Sequence, residues 1–369
     1  METNLRLSAS SNSLAVVVGC GGNGQDNKSR REEVTVKVKK LINASENVVK
    51  EMVEGMGLAH PEYVRTIPEL NVVVRKGAPI QGQVGLVSGG GSGHEPSHGG
   101  FVGRGMLTAA AAGDVFTSPT PDQVFKAIKA ADGGTGVLLI IKNYTGDVMN
   151  FEMAAEMAAA ENIRTASVVV NDDVAVEDSL YTSGRRGIAG TVFVHKIAGA
   201  KAEAGGSLEE VEAVAKKVVA NMRSMGMALT PCIVPAAGKP SFELADDEME
   251  IGMGIHGEPG THRDKIRPAD EVAEHLTNKV LEDLPFQSGD EVAVMINGLG
   301  ATPLMELYII NRKVAAMLEE RNIKVFRTYV GEDMTSLERA GASVTLLKLD
   351  DELKELLAAP ADTPAFTQL

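Results

Sequence analysis

The sequence predicts an α/β fold in two domains, each a mostly parallel or mixed sheet flanked by helices. Three observations carry that expectation. The chain has 369 residues, which suits two domains at about 100–200 residues each. Short, continuously apolar runs alternate with longer stretches of helical periodicity, the pattern of strands covered on both faces by helices. Polar, glycine-containing segments follow the C-terminal ends of the predicted strands, where open α/β sheets bind ligands.

Composition narrows the function classes. Hydrophobic residues make up 44% and charged residues 23%, enough apolar material for a sizeable core. Aromatics are 4%, tryptophan is absent and the net charge is −14, so base stacking and attraction to a phosphate backbone have little to work with. No stretch approaches the roughly 18 apolar residues of a membrane span. Two cysteines, Cys20 and Cys232, lie too far apart for a metal-ligand pair, and Cys232 reads as core packing.

Residues 1–35 are polar and rich in Ser, Asn and Gly, and read as a disordered or mis-assigned N-terminal extension, with a true start near Val34 or Val36. GCGGNG (19–24) matches the dinucleotide fingerprint, but the QDNKSRR that follows has no helical apolar face, so the Rossmann reading fails. VVGC (17–20) resembles a lipoprotein box, but its apolar run is shorter than the roughly 7–15 residues of a signal peptide.

The first domain is expected over 36–220. A helix begins near Asn43, the plausible N-cap. A buried strand over 84–88 runs into a glycine-rich loop. Helices follow at 123–131 and 151–160, strands at 136–142 and 166–170, and a connecting helix at 207–225. The second domain is expected over 221–369, with strands at 291–296, 324–329 and 343–348 and helices at 270–282 and 303–321. The tail around Phe366 can pack on either.

Three segments carry candidate chemistry. SGGGSGHEP (88–96) lets the backbone turn tightly and brings N–H groups near a ligand. It is a ligand loop or a flexible loop, and the second reading leaves the His-Glu-Pro ending unexplained. KNYTGD (142–147) follows an apolar strand, and its Lys142 and Asp147 suit a polar substrate or form a surface pair with a turn. GMGIHGEPG (252–260) sets His256 among glycines that leave it open to whatever approaches. His60, His195 and His275 lie in helical stretches and read as structural. His98 and His262 stand near the motifs as supports. No His/Asp/Glu set has metal-ligand spacing, so no metal is expected.

Taken together, SGGGSGHEP, FTSPTPD (116–122), GVLLIIKNYTGD (136–147), NDDVAV (171–176), GRRG (184–187), VPAAGKPSF (234–242), GIHGEPG (254–260), GLGATPLMELY (298–308) and SVTLLKLDD (343–351) resemble the dihydroxyacetone kinase K subunit family, from about Val36 to the C-terminus. The resemblance implies a cytoplasmic, two-domain homodimer. Its catalytic residues would be His256, which forms a hemiaminal with the substrate carbonyl, Asp147 near the reacting hydroxyl, and His94. Gly91, Ser92, Gly93, His94, Lys142 and Asp147 match substrate-binding positions. Residues 97–100 depart a little from the family's form.

The family's longer, ATP-dependent members carry a nucleotide domain. This chain ends just after the K region, which implies no cofactor of its own. ADP/ATP and Mg would sit on a separate L subunit, rephosphorylated through an M subunit of the phosphotransferase system. Neither nucleic acid nor membrane enters. Arg185 and Arg186 are the candidates for a basic patch that docks the L subunit. The expected function is therefore the dihydroxyacetone-binding subunit of a phosphoenolpyruvate-dependent kinase. The alternatives are a kinase subunit for a longer ketose such as erythrulose, a ketone-binding transcriptional co-regulator without catalysis, and a general sugar-binding module.

Overall fold

The computed structural model describes residues 39–177 and 182–369. It also gives the backbone of three short strands upstream, β1 (Ser8–Ser10), β2 (Ser13–Val16) and β3 (Val34–Val36), which pair antiparallel. The extension expected over 1–35, with its Cys20, otherwise lies outside the described residues.

The first sheet contains β4 (Val64–Ile67), β5 (Val72–Arg75), β6 (Gly85–Ser92), β7 (Ala109–Val115), β8 (Val137–Lys142) and β9 (Thr165–Val170), in the order β4-β5-β7-β6-β8-β9. From β7 to β9 the strands run parallel, and β5 and β4 extend the edge antiparallel. Every residue of β8 is buried, because helices cover both faces, which is why its sequence is an unbroken apolar run. On one face pack α2 (Pro121–Ala131) and α3 (Thr145–Ala160). On the other pack α1 (Val48–Ala59), α4 (Thr191–Glu203) and α5 (Leu208–Ala220).

The second sheet contains β10 (Met222–Ala228), β11 (Glu248–Ile251), β12 (His262–Lys265), β13 (Glu291–Gly298), β14 (Lys324–Gly331) and β15 (Gly341–Leu349), in the order β12-β11-β10-β15-β13-β14. Only β13 and β14 run parallel. Alternate residues of β13 face opposite cores, as a strand's twofold period requires. Val292, Val294 and Ile296 meet α6 (Ala269–Asp283) and α7 (Leu304–Glu320), while Ala293 and Met295 join α4 and α8 (Asp351–Ala358). Helix α4 therefore lies between the two sheets. It is buried almost all round, which explains why its sequence shows no polar stripe. The C-terminal hairpin, β16 (Ala361–Asp362) and β17 (Thr367–Gln368), bridges to Arg104 and sets Phe366 at a tilt against Tyr329, touching both halves.

Three local expectations are corrected. The helix expected to run over 207–225 ends at Ala220, and Met222–Met225 open β10 against β15. Its apolar period of 208, 211, 215 and 218 stops there, and the methionines continue as a fully covered strand. Asn43 does not cap α1: its amide donates to Glu51 at 2.9 Å, and the helix begins at Val48 after a short 3₁₀ turn, Ser45–Asn47. The glycines after Ser88 are not a loop but the last turns of pleat in β6. A Cβ at Gly89 would strike the Ala111 carbonyl of β7, and one at Gly91 would lie 2.5 Å from the Thr117 nitrogen. Close backbone approach, not flexibility, is what these glycines permit.

Candidate active site

The site forms where the C-terminal ends of β6 and β8 meet two segments of the second sheet, the loop 252–260 after β11 and the turn 332–340 between β14 and β15. His94 follows β6 directly. Gly93, at φ +102°, turns the chain into it, a conformation that favours glycine. Lys142 ends β8. Asp147 stands in the first turn of α3, which starts at Thr145, earlier than its apolar pattern suggests. A helix N-terminus favours a carboxylate there.

Four rings come together. His256 meets Tyr144 edge to face at 4.5 Å between centroids, His94 at 4.8 Å and Phe116 at 5.4 Å, and His94 stacks on Phe116 at 5.0 Å. The His256 side chain keeps 14% of its surface exposed, whereas His94 and Lys142 have none and Asp147 only 2%.

The protons on the two histidines follow from their partners. His256 Nδ1 lies 3.0 Å from Glu258 Oε1, and the backbone N–H of His256 donates to Glu258 Oε2 at 2.9 Å. Burial alone would raise the Glu258 carboxyl, but the facing His256, with Arg186 beyond, holds it at about 2. Glu258 is thus an acceptor across the neutral range, so the His256 proton sits on Nδ1 and the lone pair on Nε2. His94 Nδ1 donates to the Thr335 carbonyl at 2.8 Å, leaving its lone pair also on Nε2. Burial, then the neighbouring His256 and Lys142, push the His94 imidazole well below its ordinary value and keep it neutral.

Four buried polar atoms here have no hydrogen-bond partner among the described residues: His94 Nε2, Lys142 Nζ, Tyr144 Oη and Asp147 Oδ1. Buried polar groups are nearly always paired, so this concentration of donors and acceptors marks a place for a small polar molecule. Burial lowers the Lys142 ammonium while Asp147 and Glu258 oppose it. Burial and Glu258 raise Tyr144, so it remains a phenol.

The structure brings His94, Lys142, Asp147 and His256 together, and Gly91, Ser92 and Gly93 directly precede His94 in the chain. Ser92 Oγ donates to the Gly113 carbonyl at 2.7 Å, and the Gly93 N–H donates to Glu95 at 3.1 Å. Backbone proximity is therefore what these positions offer. Glu258 escaped the residue-by-residue reading. The His-x-Glu spacing, which lets a carboxylate fold back on the imidazole two residues before it, was the available signal.

Arg185 and Arg186 do not form a basic docking patch. Arg185 pairs with Asp283 at 2.5 Å. Arg186 is fully buried, bonding Asp173 at 2.7 Å and donating to the Gly252 carbonyl at 2.7 Å. Both charges are paired within the chain, Arg185 partly exposed and Arg186 in the interior, and Arg186 ties the loop of His256 to the segment after β9. Removing one partner of a buried ion pair leaves the other uncompensated, at a cost of about 3–5 kcal/mol. Arg186→Leu is accordingly expected to lower unfolding stability by about that amount in chemical denaturation, and a loss below about 1 kcal/mol would show that the pair is not holding the loop.

Cys232 is buried beside the site, its Sγ 3.3 Å from Arg339 Nη2. His60 caps the end of α1 instead of lying inside it. His262 and His275 meet at 6.0 Å, away from the site. Among the described residues no helix is long and apolar enough to cross a membrane.

The family model described as "Dak1 domain" matches residues 54–365. A Listeria innocua protein named PTS-dependent dihydroxyacetone kinase 1, dihydroxyacetone-binding subunit DhaK, is 55% identical over 330 residues, 89% of this chain and 100% of that protein. The crystal structure of the dihydroxyacetone kinase from C. freundii with AMP-PNP and Mg2+ superposes with a TM-score of 0.83 at 37% identity, over 90% of this chain and 61% of that longer one. The dihydroxyacetone kinase operon co-activator Dha-DhaQ superposes with a TM-score of 0.81 at 36% identity, over 86% of this chain and 98% of that one. The chain belongs to the Dak1 domain family, the dihydroxyacetone kinase family that its motifs resemble.

Proposed function

We propose that this chain is the dihydroxyacetone-binding subunit of a phosphoenolpyruvate-dependent dihydroxyacetone kinase, a phosphotransferase with an alcohol acceptor, and that it holds the ketose covalently on His256. The observation that carries the covalent step is the orientation of His256. Its Nδ1 proton is engaged by Glu258, and its Nε2 lone pair belongs to the same ring cluster as the unpartnered buried groups.

In the proposed step, Nε2 adds to the ketone carbon and the carbonyl π electrons move to oxygen. That oxygen takes up a proton from solvent as the hemiaminal hydroxyl, and the Nδ1 proton passes by way of Glu258 back to solvent, so the protons balance and both the ring and the carboxylate return to their starting charge. Lys142 and Tyr144 can donate to the substrate's oxygens. Asp147 accepts the proton of the hydroxyl that attacks the phosphoryl donor, and the neutral Nε2 of His94 accepts from or shares that proton. Phosphoryl transfer is mainly positioning and charge stabilisation, which a substrate fixed at its carbonyl meets directly. The donor nucleotide, with its Mg, sits on a separate L subunit served by an M subunit. The chain works in the cytoplasm as a homodimer.

Glu258→Gln tests the orientation. An amide can donate to Nδ1, which moves the imidazole proton to Nε2 and removes the nucleophilic lone pair. Formation of the dihydroxyacetone adduct, followed by intact-protein mass spectrometry, is expected to slow by up to about ten-thousandfold, the penalty a wrong tautomer brings to a catalytic histidine. An unchanged rate would mean that Glu258 does not set the tautomer.

The fold likeness to a co-activator favours a second reading, a ketone-binding regulator without catalysis. His94, Asp147 and His256 standing in one site argue for catalysis, because binding alone does not call for a buried, unpartnered carboxylate beside the hydroxyl acceptor. Turnover of dihydroxyacetone, and of erythrulose in parallel, by the chain mixed with purified L subunit separates these readings. No turnover of either ketose, with binding intact, would favour the regulator.

A further inference from the structure

Beneath the ketose site, on the α4 face of the first sheet, lies a second group of buried polar side chains that the chemistry above does not use. His98 and His195 are both buried, and His98 Nδ1 lies 2.9 Å from His195 Nε2. Ser88 Oγ lies 3.4 Å from the same Nδ1 and 2.7 Å from the Ile140 carbonyl oxygen. A serine hydroxyl has one proton, and a carbonyl only accepts. The Ser88 proton therefore goes to Ile140, and Ser88 presents a lone pair to His98. A proton on His98 Nδ1 gives the Ser88 lone pair a donor: it goes to His195 at the shorter distance and leans on Ser88 at the longer one, and the His195 proton then sits on its own Nδ1, which is buried with no partner among the described residues.

That assignment leaves the lone pair of His98 on Nε2. This atom is buried and has no partner among the described residues, and the same holds for Lys142 Nζ. Both flank one point, the place where a Cβ on Gly90 would stand: His98 Nε2 is 3.5 Å from it, and Lys142 Nζ touches it. No direct hydrogen bond joins the two, but they are near enough for one oxygen atom to link them.

We propose that His98 is a positioning residue for Lys142. Locked by Ser88 and His195 with its proton on Nδ1, it turns the Nε2 lone pair towards the Lys142 ammonium and holds both the charge and the aim of that group for the ketose. The inference rests on Lys142 as a ketose-binding residue. The groups that face Lys142 come from every element around it: His94 and His98 after β6, Asp147 from α3, Glu258 from the loop 252–260, His195 from α4, and the Tyr144 ring at 5.8 Å. Burial, and then the Lys142 charge, hold His98 well below its ordinary value and His195 at about 3. Both histidines thus act on Lys142 as neutral rings.

The first test needs no activity. In the full chain labelled with ¹⁵N-histidine, long-range ¹H–¹⁵N correlation reports the tautomer of each imidazole, and His98 is assigned by the pattern that His98→Gln removes. His98 protonated on Nδ1 is expected, and His98 protonated on Nε2 would overturn the proposal. The second test is the pH dependence of dihydroxyacetone binding. In His98→Leu the ammonium loses its acceptor and deprotonates at lower pH, so the alkaline limb of binding should move down. Affinity near neutrality should fall about tenfold or more, as for a hydrogen bond to a charged group. His98→Gln, whose amide oxygen can accept, should restore part of both effects. A uniform loss across pH with the limb in place would mark a merely structural role and overturn the proposal. If the wild-type chain bound no ketose, the functional reading would fall, whereas the tautomer measurement would still decide the geometry of His98.

Discussion

His256→Ala is expected to abolish the labile adduct that intact-protein mass spectrometry detects after exposure to dihydroxyacetone. Affinity is expected to drop by two orders of magnitude or more. The reason is the size of the ligand. A molecule of about six heavy atoms makes few contacts, and each net hydrogen bond contributes only about 0.5–1.5 kcal/mol. A carbon–nitrogen bond at the carbonyl supplies what those contacts cannot. It also rejects glycerol, which offers similar hydroxyls and no carbonyl. The mutant should fold normally, because the ring is partly exposed and its removal leaves Glu258 with the backbone N–H of residue 256 and with Arg186 nearby. Glycerol and dihydroxyacetone should then bind the mutant about equally weakly. An adduct of undiminished yield in His256→Ala would place the covalent bond on another nucleophile.

Asp147→Asn is expected to retain the adduct and to lose turnover with the L subunit by about a hundred- to ten-thousandfold, the usual contribution of a general base. Asparagine keeps the shape of the side chain at the start of α3 and can still hydrogen-bond a substrate hydroxyl, but it cannot take the proton. Adduct formation depends on His256 and Glu258, so it should change by no more than a few fold. The separation of the two readouts is the test. Near wild-type turnover would move the base to His94, whose neutral Nε2 is the other unpartnered acceptor in the site. Parallel loss of adduct and turnover would mean that Asp147 positions the ketose for capture.

Much of the first sheet was legible along the chain. β8 announced itself as a short apolar run because both its faces are covered, α2 carried helical periodicity, and α3 was marked by helix-forming Ala, Met and Glu, not by a period. The strand order was not legible. β6 lies between β7 and β8, and β15 inserts between β10 and β13, through pairings that no local pattern encodes. The glycines of β6 read as a loop, because glycine is a turn residue by propensity. Only the neighbouring carbonyl of Ala111 and the amide of Thr117 reveal that a strand is squeezed there. α4 was read only as a helical stretch around His195, without bounds, because a helix sandwiched between two sheets has no polar face to mark its period. Arg185 and Arg186 looked like a surface patch, as adjacent arginines usually are, until Asp173 and Asp283 appeared beside them.

What the sequence determined by itself is the family, the α/β alternation, and the chemical inventory of the site: a histidine among glycines, a lysine and an aspartate at a strand's end, a second histidine after a glycine run. These are local facts, carried by neighbours in the chain. What only the tertiary structure decided is the state of each group. The proton of His94 is placed by Thr335, more than two hundred residues away, and that of His98 by His195 and Ser88. Lys142, at the end of an apolar strand, becomes a buried cation because the second sheet closes over it. Tautomer, charge and direction depend on burial and on partners at long separation. A covalent sequence names the groups that can titrate, and the fold decides which proton each one holds.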